Sequence, residues 1–473
     1  MGCVLALYDC RSKQEYIYRT NRMVEISGGS ALLAELFGGF FLNTDNYKFN
    51  IKTNWRGNIN VSGDFVKDFE ESNLDGELLY EGGGNLFVIY RNREIYLEIN
   101  KALSRYAIDK TYSVSIVASC VNVTGDFNED RKRLYAENTL RKNQGMFLVP
   151  NNVLPFTQTD RQTFMPIAKK DSRYGKELQL TMESSLKRGG GNAGNKGENL
   201  LDNMTDNNNS LLAVIYIDGN AMGDKLKNLS QNIKTYAEGI SALRQFSCNT
   251  NEAFVDAPIR EIEKYLSGKR NSGSEKANRY LYRKVISGGD EITLVCNAHI
   301  VREILDVYFS TLAKFKDSSA CAGVAIFHSH TPFSEVYKIA EACCESGKEQ
   351  AHNPENKGKS YIDFHYCHSG ITNDLDALRK EQGILTIPYE VGESWSVFEK
   401  FADEIRPIGR RRIKNLGMAA FSGASSYRAE LALVRSRFPE VNIPDIGEDF
   451  EKVMRMVSDL ASVWDIWFDG GEE

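Results

Sequence analysis

The sequence has no closely spaced cysteines. Nine cysteines are scattered along 473 residues, and no two of them form a C-x-x-C pair. Structural zinc sites and disulfide frameworks are normally built from closely spaced cysteines, whereas isolated cysteines are typical of reduced thiols in a protein core. We therefore expect neither a zinc site nor a set of disulfides.

The sequence also lacks a long apolar run and a strong net charge. The stretch MGCVLALYDCRSKQEY has no basic n-region, and its apolar part is too short for a signal peptide or a membrane span. A formal charge of −6 argues against bulk capture of duplex nucleic acid, although it permits a local basic groove. We expect a cytoplasmic protein that does not associate with membranes.

A chain of 473 residues is too long for a single core and predicts two or three domains. The same order of elements occurs twice: a buried strand that ends in an acid, helices, a hairpin with Gly-Gly at its turn, a helix and a strand. These strands, hairpins and last helices are predicted at 2–9, 77–90, 93–108 and 112–123, and again at 211–218, 281–296, 298–315 and 320–328.

Aligning the two halves pairs Asp9 with Asp218, Gly82 with Gly288, Gly83 with Gly289, Gly84 with Asp290, and Asn85 with Glu291. The separations agree, because Gly84 follows Asp9 by 75 positions and Asp290 follows Asp218 by 72. A duplicated β-α-β-β-α-β unit predicts an α+β protein with two ferredoxin-like domains. Each domain is expected to have a four-stranded antiparallel sheet with helices on one face.

Two further segments differ in composition from the duplicated halves. Residues 151–210 end in KRGGGNAGNKGENLLDNMTDNNNS, which is rich in Gly and Asn and typical of a flexible linker. After residue 370, AFSGASSYRAELALVRSRF and EDFEKVMRMVSDLASVWDIWF predict a separate helical domain. We therefore place the domains at 1–150, 151–210, 211–370 and 371–473.

The second hairpin, KVISGGDEITLVC at 284–296, carries two adjacent acids. The first strand and the hairpin are central neighbours in this fold, so Asp218 and Asp290 are expected close together. Strand alternation points Glu291 to the opposite face unless the turn bends. Clustered carboxylates need a compensating cation, and Mg²⁺ prefers such hard oxygen ligands. Two ions would serve the attacking and leaving oxygens of a phosphoryl transfer. A Gly-Gly-Asp-Glu turn is also typical of a solvated hairpin tip, but the matched Asp218 favours the metal site.

Several motifs occur in the order of one protein family. ISGGDEI (286–292) resembles the GGDD/GGDEF signature of nucleotidyl-cyclase palm domains, and YIDGNAMGDKL (216–226) resembles the D-G-D-x-M-G segment before it. EGGGN (81–85), SGGSALLAEL (27–36) and AGVAIFHSHTPFSEVYKIAEACCESGKE (322–349) are similar to further family motifs. Over most of its length the chain resembles the large polymerase/cyclase subunit of type III CRISPR effector complexes, which carries two palm domains.

The resemblance implies roles for individual residues. Asp218, Asp290 and Glu291 would be the catalytic and metal-binding residues, with Mg²⁺ or Mn²⁺ as the cofactor. Lys348 would contact the triphosphate of ATP. The remaining residues of the nucleotide sites would be Gly288 and Gly289 in the second palm, and Gly82, Gly83, Gly84 and Asn85 in a degenerate first palm, with Ser30 nearby.

The sequence departs from the family in several places. Asn220 stands where many relatives have a second Asp, and Gly347 replaces the Ala that usually precedes the lysine. No His-Asp dipeptide occurs, and 154–170 contains no paired cysteines. The resemblance is therefore to a reduced form of the family without the HD nuclease domain.

The resemblance implies an enzyme that converts ATP into cyclic oligoadenylate or a cyclic dinucleotide and releases pyrophosphate. The alternative is a catalytically silent scaffold that binds nucleotide and assembles on an RNA-guided complex. Retention of three acids at one sheet edge favours the enzyme. The implied partners are ATP, guide RNA–protein effector subunits, and target RNA through them, and the sequence leaves the formation of a homo-oligomer open.

Overall fold

The structure is a computed structural model. It describes all residues except 1, 83, 145–155, 172–177, 190–200, 202–203, 206–209, 231–232, 272–276, 368–373, 383–384, 444–448 and 469–473.

The strands are β1 (Val4–Cys10), β2 (Ile51–Lys52), β3 (Gly76–Gly82), β4 (Asn85–Tyr90), β5 (Ile116–Asn122), β6 (Ile167–Asp171), β7 (Leu178–Thr181), β8 (Leu211–Gly219), β9 (Tyr282–Gly288), β10 (Glu291–Asn297), β11 (Ala320–His328), β12 (Tyr361–Tyr366) and β13 (Tyr389–Glu390). The α-helices are α1 (Lys13–Tyr18), α2 (Met23–Ala34), α3 (Leu36–Leu42), α4 (Phe65–Glu71), α5 (Arg93–Thr111), α6 (Phe127–Asn143), α7 (Met182–Gly189), α8 (Met222–Ser230), α9 (Tyr236–Asn251), α10 (Ala257–Asn271), α11 (Val301–Leu312), α12 (Phe333–Ala351), α13 (Leu375–Gln382), α14 (Ser394–Ile405), α15 (Arg410–Phe421), α16 (Ala424–Arg437) and α17 (Asp449–Trp467).

The chain divides into two compact units. The first unit comprises 1–200, 221–255 and 285–290, and the second comprises 201–220, 256–284 and 291–473. The predicted linker at 187–210 lies largely outside the described residues. Its first two residues, Lys187 and Arg188, are buried near the end of α7, where Arg188 pairs with Glu25 at 2.9 Å.

The first unit contains a sheet with the strand order β2-β3-β4-β1-β5. Strand β1 lies between β4 and β5 and is antiparallel to both, and β3 is antiparallel to β4. This is the predicted ferredoxin-like set of four strands. The four-stranded prediction is incomplete, because the short strand β2 adds a fifth, parallel to β3.

Helix α9 completes the core of the first unit. Its residues Tyr236 and Ile240 pack in one buried cluster with Leu5 and Leu7 of β1 and Phe87 of β4. The guanidinium of the fully buried Arg244 donates to the carbonyls of Leu79 at 2.7 Å and of Asn58 at 2.6 Å. A helix that follows the strand of the second palm in sequence therefore belongs to the first unit.

The other large sheet has the strand order β13-β12-β11-β8-β10-β9. Strand β8 lies between β10 and β11 and is antiparallel to both, so the predicted central neighbours are confirmed. Two more strands extend the predicted set of four, because β12 pairs in parallel with β11 and β13 is antiparallel to β12. Residues Leu212 to Ile217 of β8 are buried, as expected for a central strand with apolar side chains on both faces.

The segment after residue 370 is helical, as the sequence predicts. Helix α15 packs against α16 and α17, and a Cβ at Gly417 of α15 would lie 2.4 Å from the Cβ of Ala461 of α17. The apolar faces of these helices, including Ile413, Leu416 and Trp464, are buried.

Among the described residues, no single helix is long and apolar enough to cross a membrane. Helices α2 and α3 are bent by 48° relative to each other. Taken together they are long and apolar enough for a membrane span, by length and composition alone. Ile26, Phe37 and Phe40 of this pair are buried in the first unit.

Candidate functional site

The second hairpin turns through Gly289 and Asp290, which connect β9 to β10. Gly289 has a φ of +66°, a left-handed conformation that favours glycine. A Cβ at Gly288 or at Gly289 would meet no atom of the described residues within 4 Å. Within that part of the chain, both backbone positions have open space beside them.

Glu291 and Asp218 are register partners on neighbouring antiparallel strands. Directly opposite residues of such a pair project from the same face of the sheet. The expectation that alternation points Glu291 away from Asp218 is therefore wrong. The two-residue turn places Glu291 at the first position of β10, and this sets the register.

Asp290 lies in the turn itself and belongs to the first unit. Burial raises the pKa of Tyr80 in the same unit to about 12, with smaller contributions that include the charge of Asp290. The carboxylate of Asp290 therefore lies near the side chain of Tyr80 on β3.

Lys348 lies in the last turn of α12, and its ammonium group donates a hydrogen bond to Oδ2 of Asp218. The side chains of Lys348 and Asp218 are 19% and 21% exposed, so both remain accessible from one side. Burial alone lowers the pKa of Lys348, but the hydrogen bond and the charge of Asp218 raise it above the ordinary lysine value. The predicted triphosphate-binding lysine is thus positioned directly beside the strand acid.

The pKa of Tyr216 is affected by the acids at this face of the sheet. It precedes Asp218 by two residues on β8 and is 6% exposed. Burial raises the pKa of Tyr216, and the charges of Glu291 and Asp218 raise it further. Both carboxylates therefore act on the same patch, which is negative apart from Lys348.

Asn220 has a structural role. Its side-chain amide donates to the carbonyl of Lys359 at 3.0 Å and to the hydroxyl of Ser319 at 3.4 Å. Its oxygen accepts a hydrogen bond from the thiol of Cys321 at 3.2 Å, and the residue is 8% exposed. The amide thus fixes the end of β8 to neighbouring segments.

The residues present fit one magnesium ion. In the part of the chain that the structure describes, no three His, Cys, Asp or Glu side chains are grouped closely enough to hold a metal. The predicted trio is thus not assembled, and Asp218 and Glu291 are the two acids that share a face. Mg²⁺ binds proteins through one or two carboxylates together with substrate phosphates, so this pair is sufficient.

The first palm has an equivalent arrangement with different chemistry. Asp9 is the register partner of Asn85, as Asp218 is of Glu291. Lys142, in the last turn of α6, forms an ion pair with Asp9, and the ammonium of Lys13 lies 3.9 Å from it. Two cations around one acid favour an anion in place of a metal ion.

Sequence reasoning missed Lys142, although a signal was present. Lys142 and Lys348 both lie twenty positions after the last residue of the preceding strand. Extending the internal alignment from the hairpins to the last helices would have paired the two lysines.

The other predicted residues of the first palm are partly brought together. Gly84 has a φ of +75°, and a Cβ there would lie 1.8 Å from the Lys13 ammonium nitrogen. A Cβ at Gly82 would lie 2.4 Å from the Tyr80 hydroxyl. The oxygen Oδ1 of Asn85 is buried without a hydrogen-bond partner among the described residues. Gly83 lies outside those residues, and Ser30 lies on α2 with no described hydrogen bond to the hairpin.

The chain contains two palm-type sheets, and in each a glycine hairpin lies beside a central strand that ends in an acid. Residues 211–357 match the family of Cas10/Cmr2 second palm domains. This segment is thus a Cas10/Cmr2-type second palm, which confirms the resemblance to the large subunit of type III CRISPR complexes. No curated protein matches the sequence significantly.

Solved structures of the Csm1-Csm4 cassette share the fold. The cassette in complex with cA4 matches with a TM-score of 0.56 and 14% identity, over 98% of this chain and 69% of that chain. The complex with pppApA gives a TM-score of 0.53 and 14% identity, over 96% and 69% of the two chains. The complex with one ATP gives a TM-score of 0.53 and 14% identity, over 98% of this chain and 69% of that chain. At this identity the likeness shows the fold alone.

Proposed function

We propose that the protein is a metal-dependent nucleotidyltransferase that converts ATP into a cyclic oligoadenylate or a cyclic dinucleotide and releases pyrophosphate. The observation that carries the proposal is that Asp218 lies opposite Glu291 on the neighbouring strand and accepts a hydrogen bond from Lys348. The match of 211–357 to Cas10/Cmr2 second palms and the likeness to structures containing ATP and cA4 support it.

Asp218 and Glu291 would hold Mg²⁺ or Mn²⁺, with Asp290 as the further acid of the hairpin. When bound, the ion would lower the negative charge on the phosphates and make the attacking ribose hydroxyl more acidic. The open glycines of the turn let the backbone approach the nucleotide closely.

Lys348 contributes a fixed positive charge. Its raised pKa keeps the ammonium protonated at neutral pH, so it would stabilise the negative charge of the triphosphate. Its present partner, Asp218, is also the proposed metal ligand. Binding of a cation by Asp218 would release the ammonium of Lys348 to the phosphates.

The first palm would hold a second nucleotide without a metal. Lys13 and Lys142 supply two positive charges around Asp9, and Oδ1 of Asn85, which has no hydrogen-bond partner among the described residues, offers a buried acceptor. An adenine amino group or a ribose hydroxyl is a donor that suits this acceptor. Holding two substrates in place contributes to catalysis through orientation.

The test is to incubate the purified chain with Mg²⁺ and labelled ATP, with and without a guide RNA–protein complex and its target RNA. We expect release of pyrophosphate and a cyclic adenylate product, lost on addition of a general metal chelator and retained with a zinc-selective one. Absence of pyrophosphate release under all of these conditions would refute the enzyme.

A catalytically silent scaffold is the second candidate, and one observation favours it. The described residues assemble two carboxylates rather than three, and one of these already pairs with Lys348. A scaffold would bind ATP and join RNA-guided effector subunits without turning ATP over. Calorimetric binding of ATP together with an unchanged ATP pool would identify this function.

A further inference from the structure

The second unit contains a cavity formed by residues outside both palm sites. Its volume is about 340 Å³, which lies in the range of roughly 300–1,000 Å³ typical of small-molecule sites. Strand β12, the segment before β13, and helices α15 and α17 form its walls. The apolar lining residues are Phe364, Leu385, Ile387, Met418, Phe421 and Ala461.

One buried carboxylate lines this apolar cavity. Asp459 of α17 is 1% exposed, and its Oδ2 accepts hydrogen bonds from the Thr386 backbone N–H at 2.9 Å and the Tyr389 hydroxyl at 2.7 Å. Its other oxygen, Oδ1, is buried without a hydrogen-bond partner among the described residues. The hydroxyl of the neighbouring Ser458, which also lines the cavity, is buried without a partner in the same part of the chain.

Two basic side chains on the surrounding elements, Arg379 and Lys414, are engaged by other groups. Arg379 of α13 is engaged by Asp363 of β12 through two hydrogen bonds, at 2.7 and 2.8 Å. Lys414 of α15 lines the cavity, but it donates to the Ala461 carbonyl at 2.7 Å and pairs with Asp465 at 3.2 Å. Burial raises the pKa of Asp459 to about 7, although the hydrogen bonds from Tyr389 and Thr386 and the charge of Arg379 lower it.

We propose that this cavity binds a small primary amine with an aromatic or aliphatic body. The ammonium group would donate to Oδ1 of Asp459, and the body would pack against Phe364, Ile387 and Met418. A cation suits the site better than a neutral donor, because it compensates a desolvated carboxylate as well as satisfying its free oxygen. Phosphates are disfavoured by the same charge, which separates this site from the nucleotide chemistry of the palms.

The partly exposed side chains at the cavity indicate the route of entry. Met418 and Phe421 on α15 are 63% and 51% exposed. A ligand that enters past them would cover exposed apolar surface and reach the buried acid behind it. Both effects favour binding of an amphipathic amine over a fully polar one.

The test uses the full chain and two probes of the same shape, benzylamine and benzyl alcohol, in calorimetric titrations at pH 8. We expect saturable binding of benzylamine with a Kd of about 1 mM or below, and a Kd at least tenfold higher for benzyl alcohol. Asp459→Asn should abolish this preference. Glu451→Gln, which removes an exposed acid from the same helix, should leave it unchanged.

A second variant keeps the test independent of the folding of Asp459→Asn. Ser462→Phe fills the cavity from the same helix and should abolish binding of both probes. Equal affinities for the two probes, retention of amine binding in either Asp459→Asn or Ser462→Phe, or absence of saturable benzylamine binding would overturn the proposal.

Discussion

A single side chain distinguishes the chemistry of the two palms at the residue scale. Asn85 and Glu291 occupy the same register position, each opposite the aspartate that ends the neighbouring strand. In the first palm, Asn85 is neutral, so Asp9 is a single negative charge beside the two positive charges of Lys13 and Lys142. In the second palm, Glu291 adds a second negative charge to that of Asp218, and Lys348 supplies one positive charge. With the proposed function, the same backbone would present a site for anions in one half and a site for a divalent cation in the other.

Replacing Glu291 tests the metal assignment. Glu291→Gln keeps the shape of the side chain but removes one of the two facing charges. We expect turnover to fall at least about 100-fold, or roughly 3 kcal/mol of barrier, as measured by pyrophosphate release. Asp290→Ala combined with Glu291→Ala should abolish turnover. Circular dichroism should remain unchanged, because the removal of like charges at a hairpin tip costs little stability.

Glu335→Gln is the matched control for these variants. Glu335 lies in the first turn of α12, at the opposite end of the helix from Lys348, and pairs with Lys338 at 3.0 Å. It should leave turnover within about twofold of the wild-type value, as expected for a surface change away from the reacting groups. Wild-type turnover by Glu291→Gln would contradict the assignment.

Replacing Lys348 distinguishes its interaction with Asp218 from its proposed interaction with the triphosphate of ATP. In Lys348→Met the Asp218 carboxylate no longer pairs with an ammonium, so half-maximal activity should need less Mg²⁺. The triphosphate loses a positive charge, so the KM for ATP should rise about tenfold, or roughly 1.4 kcal/mol. Lys338→Met, on the same helix with a side chain that is 66% exposed, should change neither value. A rise in the Mg²⁺ requirement in Lys348→Met would argue against competition for Asp218.

Asp459 should make stability depend on pH. Burial raises its pKa to about 7 in the folded state, above the ordinary aspartate value. The folded protein therefore binds this proton more tightly than the unfolded chain does. The resulting stabilisation is complete at acid pH and is lost as the pH rises to about 7. Between pH 5 and 7.5, wild type should lose roughly 2–3 kcal/mol relative to Asp459→Asn. The free energies of unfolding of the two proteins can be measured in urea at both pH values. A difference between the proteins that is the same at pH 5 and pH 7.5 would contradict the assignment.

At the scale of elements, Gly323 determines how closely α12 approaches the sheet. A Cβ at this position of β11 would lie 1.9 Å from the Ala340 carbonyl oxygen and 2.4 Å from the Cys344 nitrogen. These are backbone atoms of α12 and cannot rotate away. The helix that carries Lys348 can reach Asp218 because the strand beneath it has no side chain at that point.

Gly323→Ala should therefore destabilise the second unit. We expect a loss of about 1–3 kcal/mol in urea unfolding, as for overpacked cores, together with a rise in the KM for ATP as Lys348 moves. Gly268→Ala in α10, where a Cβ would meet no atom within 4 Å, is the control. It should stabilise the protein by up to about 1 kcal/mol. Equal stability of the two variants would refute the close-approach argument.

The sequence specifies some elements more strongly than others. Apolar runs and hairpin glycines are local signals, so β1, β4, β8 and β10 could be predicted within a few residues of their ends. Strands β2 and β13 are two residues long, too short to show any period, and they exist because a sheet edge pairs with them. The packing of α9 in the first unit depends on contacts between residues far apart in sequence, which periodicity does not reveal.

The sequence indicates candidate residues for the site more directly than it indicates their geometry. A two-residue turn makes the residues on either side of it opposite partners. Counting Gly289 and Asp290 as the turn would have placed Glu291 at the start of β10. The remaining step, that Glu291 faces Asp218, depends on the offset of β8 against β10. That offset is set by the packing of both buried strands and not by any local motif.

For the whole molecule, the proposed function predicts two nucleotide sites of which one reacts, because the two palms carry opposite local charge. Lys13 and Lys142 favour phosphate binding by the first palm, whereas Asp218 and Glu291 require a cation before phosphates can bind. ATP binding should therefore respond differently to metal in the two halves. Calorimetry without divalent ions should detect one ATP per chain, and calorimetry with Mg²⁺ should detect two.

A variant of the first palm should remove one of these two sites. Gly84→Val places a side chain at a φ of +75°, where a Cβ would meet the Lys13 ammonium at 1.8 Å. We expect one ATP per chain in Mg²⁺, lower turnover, and an unchanged Mg²⁺ concentration for half-maximal activity. Gly125→Val, at a φ of +95° with no atom within 4 Å, controls for backbone strain in the same unit and should keep both sites. One ATP in wild type, or two in Gly84→Val, would contradict the assignment of the second nucleotide to the first palm.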